Sequence, residues 1–102
     1  MAKGYWVVHI DVTDTDAYRV YQEFVRPFLA ANSGHFVIRG GEQSVVEGTV
    51  RPRTVVVEFP SFADAQRVYH SAEYQAGMQT RLKASVADFA IVEGFEGQRW
   101  PR

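Results

Sequence analysis

Three polar side chains interrupt runs that are otherwise apolar: His9 in GYWVVHIDV, Arg39 in FVIRGG and Glu58 in TVVVEF. Their types suggest chemistry. An imidazole titrating near neutrality is well suited to move a proton. A guanidinium offers two parallel N–H donors to a carboxylate. A carboxylate alone in an apolar run needs a partner or a changed proton affinity. Together they suggest a site in which His9 moves a proton, Arg39 holds negative charge, and Glu58 serves as acid or base or orients one of the other two. Each also has a structural reading: a hydrogen-bonded core or interface histidine, and an Arg39–Glu58 ion pair.

The strands decide whether the three meet. Residues 4–12 read as a strand, with Trp6, Val8, Ile10 and Val12 on one face and Tyr5, Val7, His9 and Asp11 on the other. Residues 35–39 and 43–48 read as a second strand in two pieces, bent by a bulge at Gly40 and Gly41. Residues 54–59 and 85–95 read as the third and fourth. In the third, Val55, Val57 and Phe59 form the apolar side, leaving Val56 and Glu58 opposite. In the second, Phe36 and Ile38 do so, leaving His35, Val37 and Arg39. The period-2 rule then predicts His9, Arg39 and Glu58 on one face of three neighbouring strands.

Helices fill the gaps. Thr13 and Asp16 match a capping box, opening a helix whose stripe includes Ala17, Val20, Tyr21, Phe24 and Phe28 and which ends with Gly34 in the left-handed conformation. Ser61 and Asp64 open a second helix. Ser71 opens a third, carrying Tyr74, Met78 and Leu82. The order βαββαβ predicts an α+β, ferredoxin-like fold: a four-stranded antiparallel sheet, order 4-1-3-2, with helices on one face. One domain is expected over residues 1–95, with a tail over 96–102 that includes Trp100. The bare face would expose Tyr5, Val7, Val37 and Val56, which predicts a C2 homodimer packed sheet to sheet.

Composition narrows the function. The net charge of the 102 residues is −1, and no basic cluster is dense enough to reward nucleic-acid binding. There is no cysteine, which removes disulfides and thiolate chemistry and fits a cytoplasmic setting. No apolar run is long enough for a membrane span. Histidine spacing supports no metal site, no cofactor is expected, and no serine-hydrolase, phosphate-loop or dinucleotide motif occurs.

The strings GYWVVHIDVTDTDAYRVY, FVIRGGEQSVVEG, RPRTVVVEFPSFADA, SAEYQ and IVEG together resemble the family called domain of unknown function 1330, over about residues 3–95. The resemblance implies a dimeric α+β barrel, two ferredoxin-like sheets closed around a shared interior. Relatives in that superfamily include cofactor-free monooxygenases, muconolactone isomerase-like proteins and haem-binding members, while the family itself carries no established activity. Within the stretch that resembles the family, Tyr74 and Arg81 are expected at a pocket mouth as substrate-binding residues alongside Arg39; a surface ion pair is the other reading of Arg81. The expected function is binding of a small anionic or aromatic molecule, with cofactor-free proton-transfer or oxygenase chemistry at His9 and Glu58. The alternative is a non-catalytic dimeric structural or stress-associated ligand-binding module.

Overall fold

The even residues of the first strand build the core. In the computed structural model, which describes residues 2–97, Trp6, Val8 and Ile10 of β1 (Gly4–Val12) are all buried. They pack beneath α1 (Thr15–Ala31), α2 (Phe62–Tyr69) and α3 (Ala72–Ala84). The sheet is antiparallel throughout, in the order β2 (His35–Arg39), β3 (Arg53–Phe59), β1, β4 (Ser85–Glu93). This is the expected ferredoxin-like arrangement. Trp100 and the rest of the expected tail beyond Gly97 lie outside the described residues. Among the described residues no helix is long and apolar enough to cross a membrane.

Trp6 organises the helical side. Its indole N–H donates to the Ala65 carbonyl at 2.9 Å, which ties β1 to α2. Its ring lies 4.9 Å from Tyr74, 5.0 Å from Phe59 and 5.3 Å from Phe89, so α3, β3 and β4 converge on one aromatic side chain. Ser61 and Ser71 cap α2 and α3 as their positions suggest, accepting from the backbone N–H groups of Asp64 and Tyr74.

Several expectations are corrected. The cap of α1 is Asp14 rather than Thr13: its carboxylate accepts from Ala17 N–H at 3.1 Å, while the Thr13 N–H is already bonded to the Ala84 carbonyl. The left-handed residue after α1 is Ser33 (φ 64°), not Gly34. Gly34 is small for another reason: a Cβ there would sit 3.1 Å from both Leu29 and Phe59. Val20 faces solvent, and Tyr18 takes the buried position. In α3 the third stripe position is Arg81, 5% exposed, while Leu82 is 51% exposed. Residues 43–48 form no strand; they belong to a long loop between β2 and β3.

The sheet register carries the largest correction. Phe36 pairs with Val57, but Ile38, not Val37, pairs with Val56, so Val37 is an extra residue in a β-bulge. One inserted residue reverses the parity of everything after it. Arg39 therefore stands opposite Val55, on the helix side of the sheet.

Candidate functional site: a cationic cavity between sheet and helices

His9 and Glu58 share the open face of the sheet, but they do not converge. Glu58 lies opposite Tyr5 and His9 opposite Thr54. Four residues of β1 separate the two rows, about 13 Å at the rise of a strand. Glu58 accepts a hydrogen bond from the Tyr5 hydroxyl at 3.1 Å, so its partner is Tyr5 rather than Arg39. Burial first, then that bond to the carboxylate, pushes the Tyr5 phenol upward. His9 Nδ1 bonds the Thr54 hydroxyl at 3.0 Å. That hydroxyl also bonds the Gln43 side chain, which donates to the Arg51 carbonyl at 2.9 Å, and Arg51 pairs with Asp88 at 3.1 Å. The chain pins the long loop against one end of the open face.

The opposite side of the sheet holds the enclosed space. A cavity of about 40 Å³ lies between sheet and helices, room for roughly three water molecules. Its walls are mainly apolar, among them Trp6, Phe36, Val55, Val57 and Phe89. Four arginines also line it: Arg26, Arg39, Arg53 and Arg81. Among the described residues no aspartate or glutamate lines it, and none of the ion pairs uses these four. Arg26 and Arg39 are exposed and mark the mouth; Arg53 is half-buried; Arg81 lies at the base. Such a gradient of positive charge along low-dielectric walls favours entry of an anion.

Of the residues named from sequence, the structure brings Arg39 and Arg81 to this cavity. Tyr74 does not line it: it is fully buried beside Arg81 rather than at a mouth. The Arg39 guanidinium lies 4.9 Å from the Phe36 ring. Arg81 has no surface acid as partner: its guanidinium is 5.2 Å from Phe89 and 5.9 Å from Tyr21, and its Nε–H is buried without an acceptor. Tyr21 and Tyr74 share a hydrogen bond of 2.8 Å between their hydroxyls.

Electrostatics fix the protonation states. Burial pushes the Tyr21 phenol well above its ordinary value and raises that of Tyr74, although Arg81 pulls partly the other way. Burial would lower the proton affinity of Arg81, but the neighbouring Tyr74 and Tyr21 outweigh it and leave the net shift upward. At neutral pH the base of the cavity is thus a guanidinium cation beside two neutral phenols. These groups can bind and orient an anion.

The buried phenols give the first prediction. In the unfolded chain both tyrosines ionise near their ordinary pKa of 10.0, while in the folded protein both hold their protons to higher pH. Their contribution to stability is complete below pH 10 and is lost above it, as the unfolded chain releases protons that the folded chain retains. Stability should fall by up to about 1.4 kcal/mol per pH unit for each tyrosine. Thermal melts above pH 10 check this, and Tyr21→Phe should flatten the decline.

Arg53 was missed in the sequence because RPR looks like a turn. Its alternation with Val55, Val57 and Phe59, the apolar side of β3, was the available signal.

A four-stranded antiparallel sheet in the order β2-β3-β1-β4, with its helices on one face, defines the class: small α+β proteins of ferredoxin-like fold. The chain belongs to the family Domain of unknown function (DUF1330), whose model matches residues 3–95. A protein of unknown function from Rhodopseudomonas palustris is similar in structure at a TM-score of 0.73 and 14% identity, covering 94% of this chain and 85% of that one. SnoaB, a cofactor-independent oxygenase from Streptomyces nogalater, is similar at a TM-score of 0.63 and 12% identity, covering 100% of both chains. An ethyl tert-butyl ether d (ethd) family protein from Bacillus halodurans is similar at a TM-score of 0.55 and 12% identity, covering 93% of this chain and 100% of that one. Comparison with curated proteins finds no match.

Proposed function

We propose that this protein binds a small organic acid in the cavity between its sheet and its helices, with Arg81 at the base, Tyr74 bracing it, and Arg39 at the mouth. The observation that carries this reading is Arg81. A guanidinium 5% exposed, with an unpartnered Nε–H and no acid among the described residues that line the cavity, is a cation whose polar neighbours are only the phenols of Tyr74 and Tyr21. Such a group is costly to keep unless a ligand meets it. The aromatic and aliphatic walls suit a flat apolar body, whose larger part would extend through the mouth.

The likeness to SnoaB makes cofactor-free oxygenase or proton-transfer chemistry the second reading. It is the weaker of the two, since the cavity offers no imidazole or carboxylate to accept a proton. His9 and Glu58, if catalytic, would act on the open face and, at about 13 Å, in separate tasks. Their bonds to Thr54 and Tyr5 suit a second role at a dimer seam, where a polar group must arrive already satisfied. The homodimer through the open face is part of the same proposal.

Benzoate and its neutral counterpart benzamide separate charge from shape. Titrated against the tryptophan fluorescence of the protein, benzoate should bind at least about ten times more tightly than benzamide, the worth of one charge-assisted hydrogen bond. Equal affinities, or no response to either, would remove the anion site from the proposal.

A further inference from the structure

We infer that Arg53, held in place by Gly40, is a second anion anchor in the same cavity, and that the ligand is a diacid on a small flat body. The inference rests on the reading that the cavity binds an organic acid.

Arg53 opens β3 on the side that faces the helices. Its guanidinium lies 6.0 Å from the Tyr18 ring, Tyr18 lies 5.8 Å from Tyr21, and Tyr21 lies 5.9 Å from the Arg81 guanidinium. Two cations thus stand at the ends of a tyrosine pair and line one cavity. In both, the Nε–H is buried and has no acceptor. That N–H, with a neighbouring Nη–H, is the edge of a guanidinium that meets a carboxylate through two parallel bonds. No acid among the described residues lines the cavity, so the buried Arg81 and the half-buried Arg53 would each be neutralised from outside the chain, and one carboxylate neutralises only one of them.

Gly40 explains how Arg53 reaches this place. After the bulge at Val37, β2 ends at Arg39 and is followed by Gly40 at φ 68°, its N–H bonded to the Thr54 carbonyl at 2.9 Å. A Cβ on Gly40 would stand 2.1 Å from Arg53 Nη1 and 2.5 Å from its Cζ. The guanidinium occupies the space a side chain would fill. The neighbouring Gly41 has nothing within 4 Å of its Cβ position, so the two glycines are not equivalent. Gly40 is a positioning residue: it acts on the ligand only through Arg53.

The test compares phthalate, isophthalate and terephthalate with benzoate, on wild type, Arg53→Met and Gly40→Ala. The three diacids differ in the separation of their charges on one ring. At least one should bind wild type about tenfold or more tightly than benzoate, the scale of one added charge-assisted contact. In Arg53→Met that preference should fall to roughly twofold, while benzoate, still held by Arg81, keeps most of its affinity. Gly40→Ala should lose the preference in the same way, a change of ratio that a general loosening of the fold would not produce. If wild type binds benzoate but prefers no diacid, or if Arg53→Met keeps the preference, the second anchor is wrong and the single-acid reading stands. If wild type binds none of these acids, both are wrong. Should Gly40→Ala not fold at its strained φ, Arg53→Met alone decides.

Discussion

Arg81→Met should leave the fold as stable as wild type, or more so, and cost the protein its acid binding. Among the described residues Arg81 has no ion-pair partner. Its neighbours are the Tyr74 side chain, the faces of Phe89 and Tyr21, and the Met78 sulfur, which Nη2 approaches to 3.8 Å. Removing a cation from water costs several kcal/mol, and cation–π contacts return only about 2 kcal/mol when desolvated. Methionine fills a similar volume and keeps a favourable sulfur–aromatic contact. The Tyr21–Tyr74 hydrogen bond survives, so no hydroxyl is orphaned. Stability should change by between zero and about +3 kcal/mol, the range seen when buried ionic groups are replaced by well-packed apolar residues of similar volume. Benzoate affinity should fall about 100-fold or more, the worth of a paired guanidinium–carboxylate contact, while benzamide is unaffected. Denaturant unfolding and the two titrations check both halves. A loss of 2 kcal/mol or more with benzoate binding intact would make Arg81 a structural residue, and the site proposal would fail with it.

The parts of this protein that were legible in its sequence are those where one period governs. Trp6, Val8 and Ile10 alternate without interruption, and the face they define is the face that is buried. The serines before α2 and α3 are caps because a polar residue precedes each apolar stripe. The site was harder to read because it depends on departures from period. Nothing in FVIR marks Val37 as an extra residue, since Val, Ile and Arg differ little in backbone preference; yet that single residue moves Arg39 to the other side of the sheet. The glycines after it suggested a bulge, while the one that matters gives room to a side chain thirteen positions later. Arg81 and Leu82 exchanged roles because hydropathy prefers leucine inside, and a helix phase shifted by one residue turns the stripe by 100°. Val45 and Val46 look like a strand by composition, but they find no partner strand.

Val56→Lys should convert the protein to a monomer without touching the cavity. The open face is banded. Ile38, Val56, Val7 and Ala90 stand opposite one another across all four strands, forming one apolar row. On one side of it lies Glu58–Tyr5–Val92, and on the other Thr54–His9–Asp88. Ile38 is 47% exposed and Val92 46%, so the single chain leaves much of this face uncovered. Stacking a second copy by a two-fold axis would set apolar row against apolar row and put the bonded pairs Tyr5–Glu58 and His9–Thr54 at the flanks, the usual anatomy of an interface with an apolar centre and a polar rim. A lysine at position 56 would place an ammonium near the middle of that row in both copies, unpaired and close to its own image. Association should weaken by about 1000-fold, on the order of 4 kcal/mol. Sedimentation at micromolar concentration should therefore give a dimer for wild type and a monomer for the variant, with the circular dichroism spectrum and benzoate affinity unchanged. If wild type is already monomeric there, or the variant still sediments as a dimer, the open face is not the interface. His9 and Glu58 would then be free to be tested as surface chemistry in their own right.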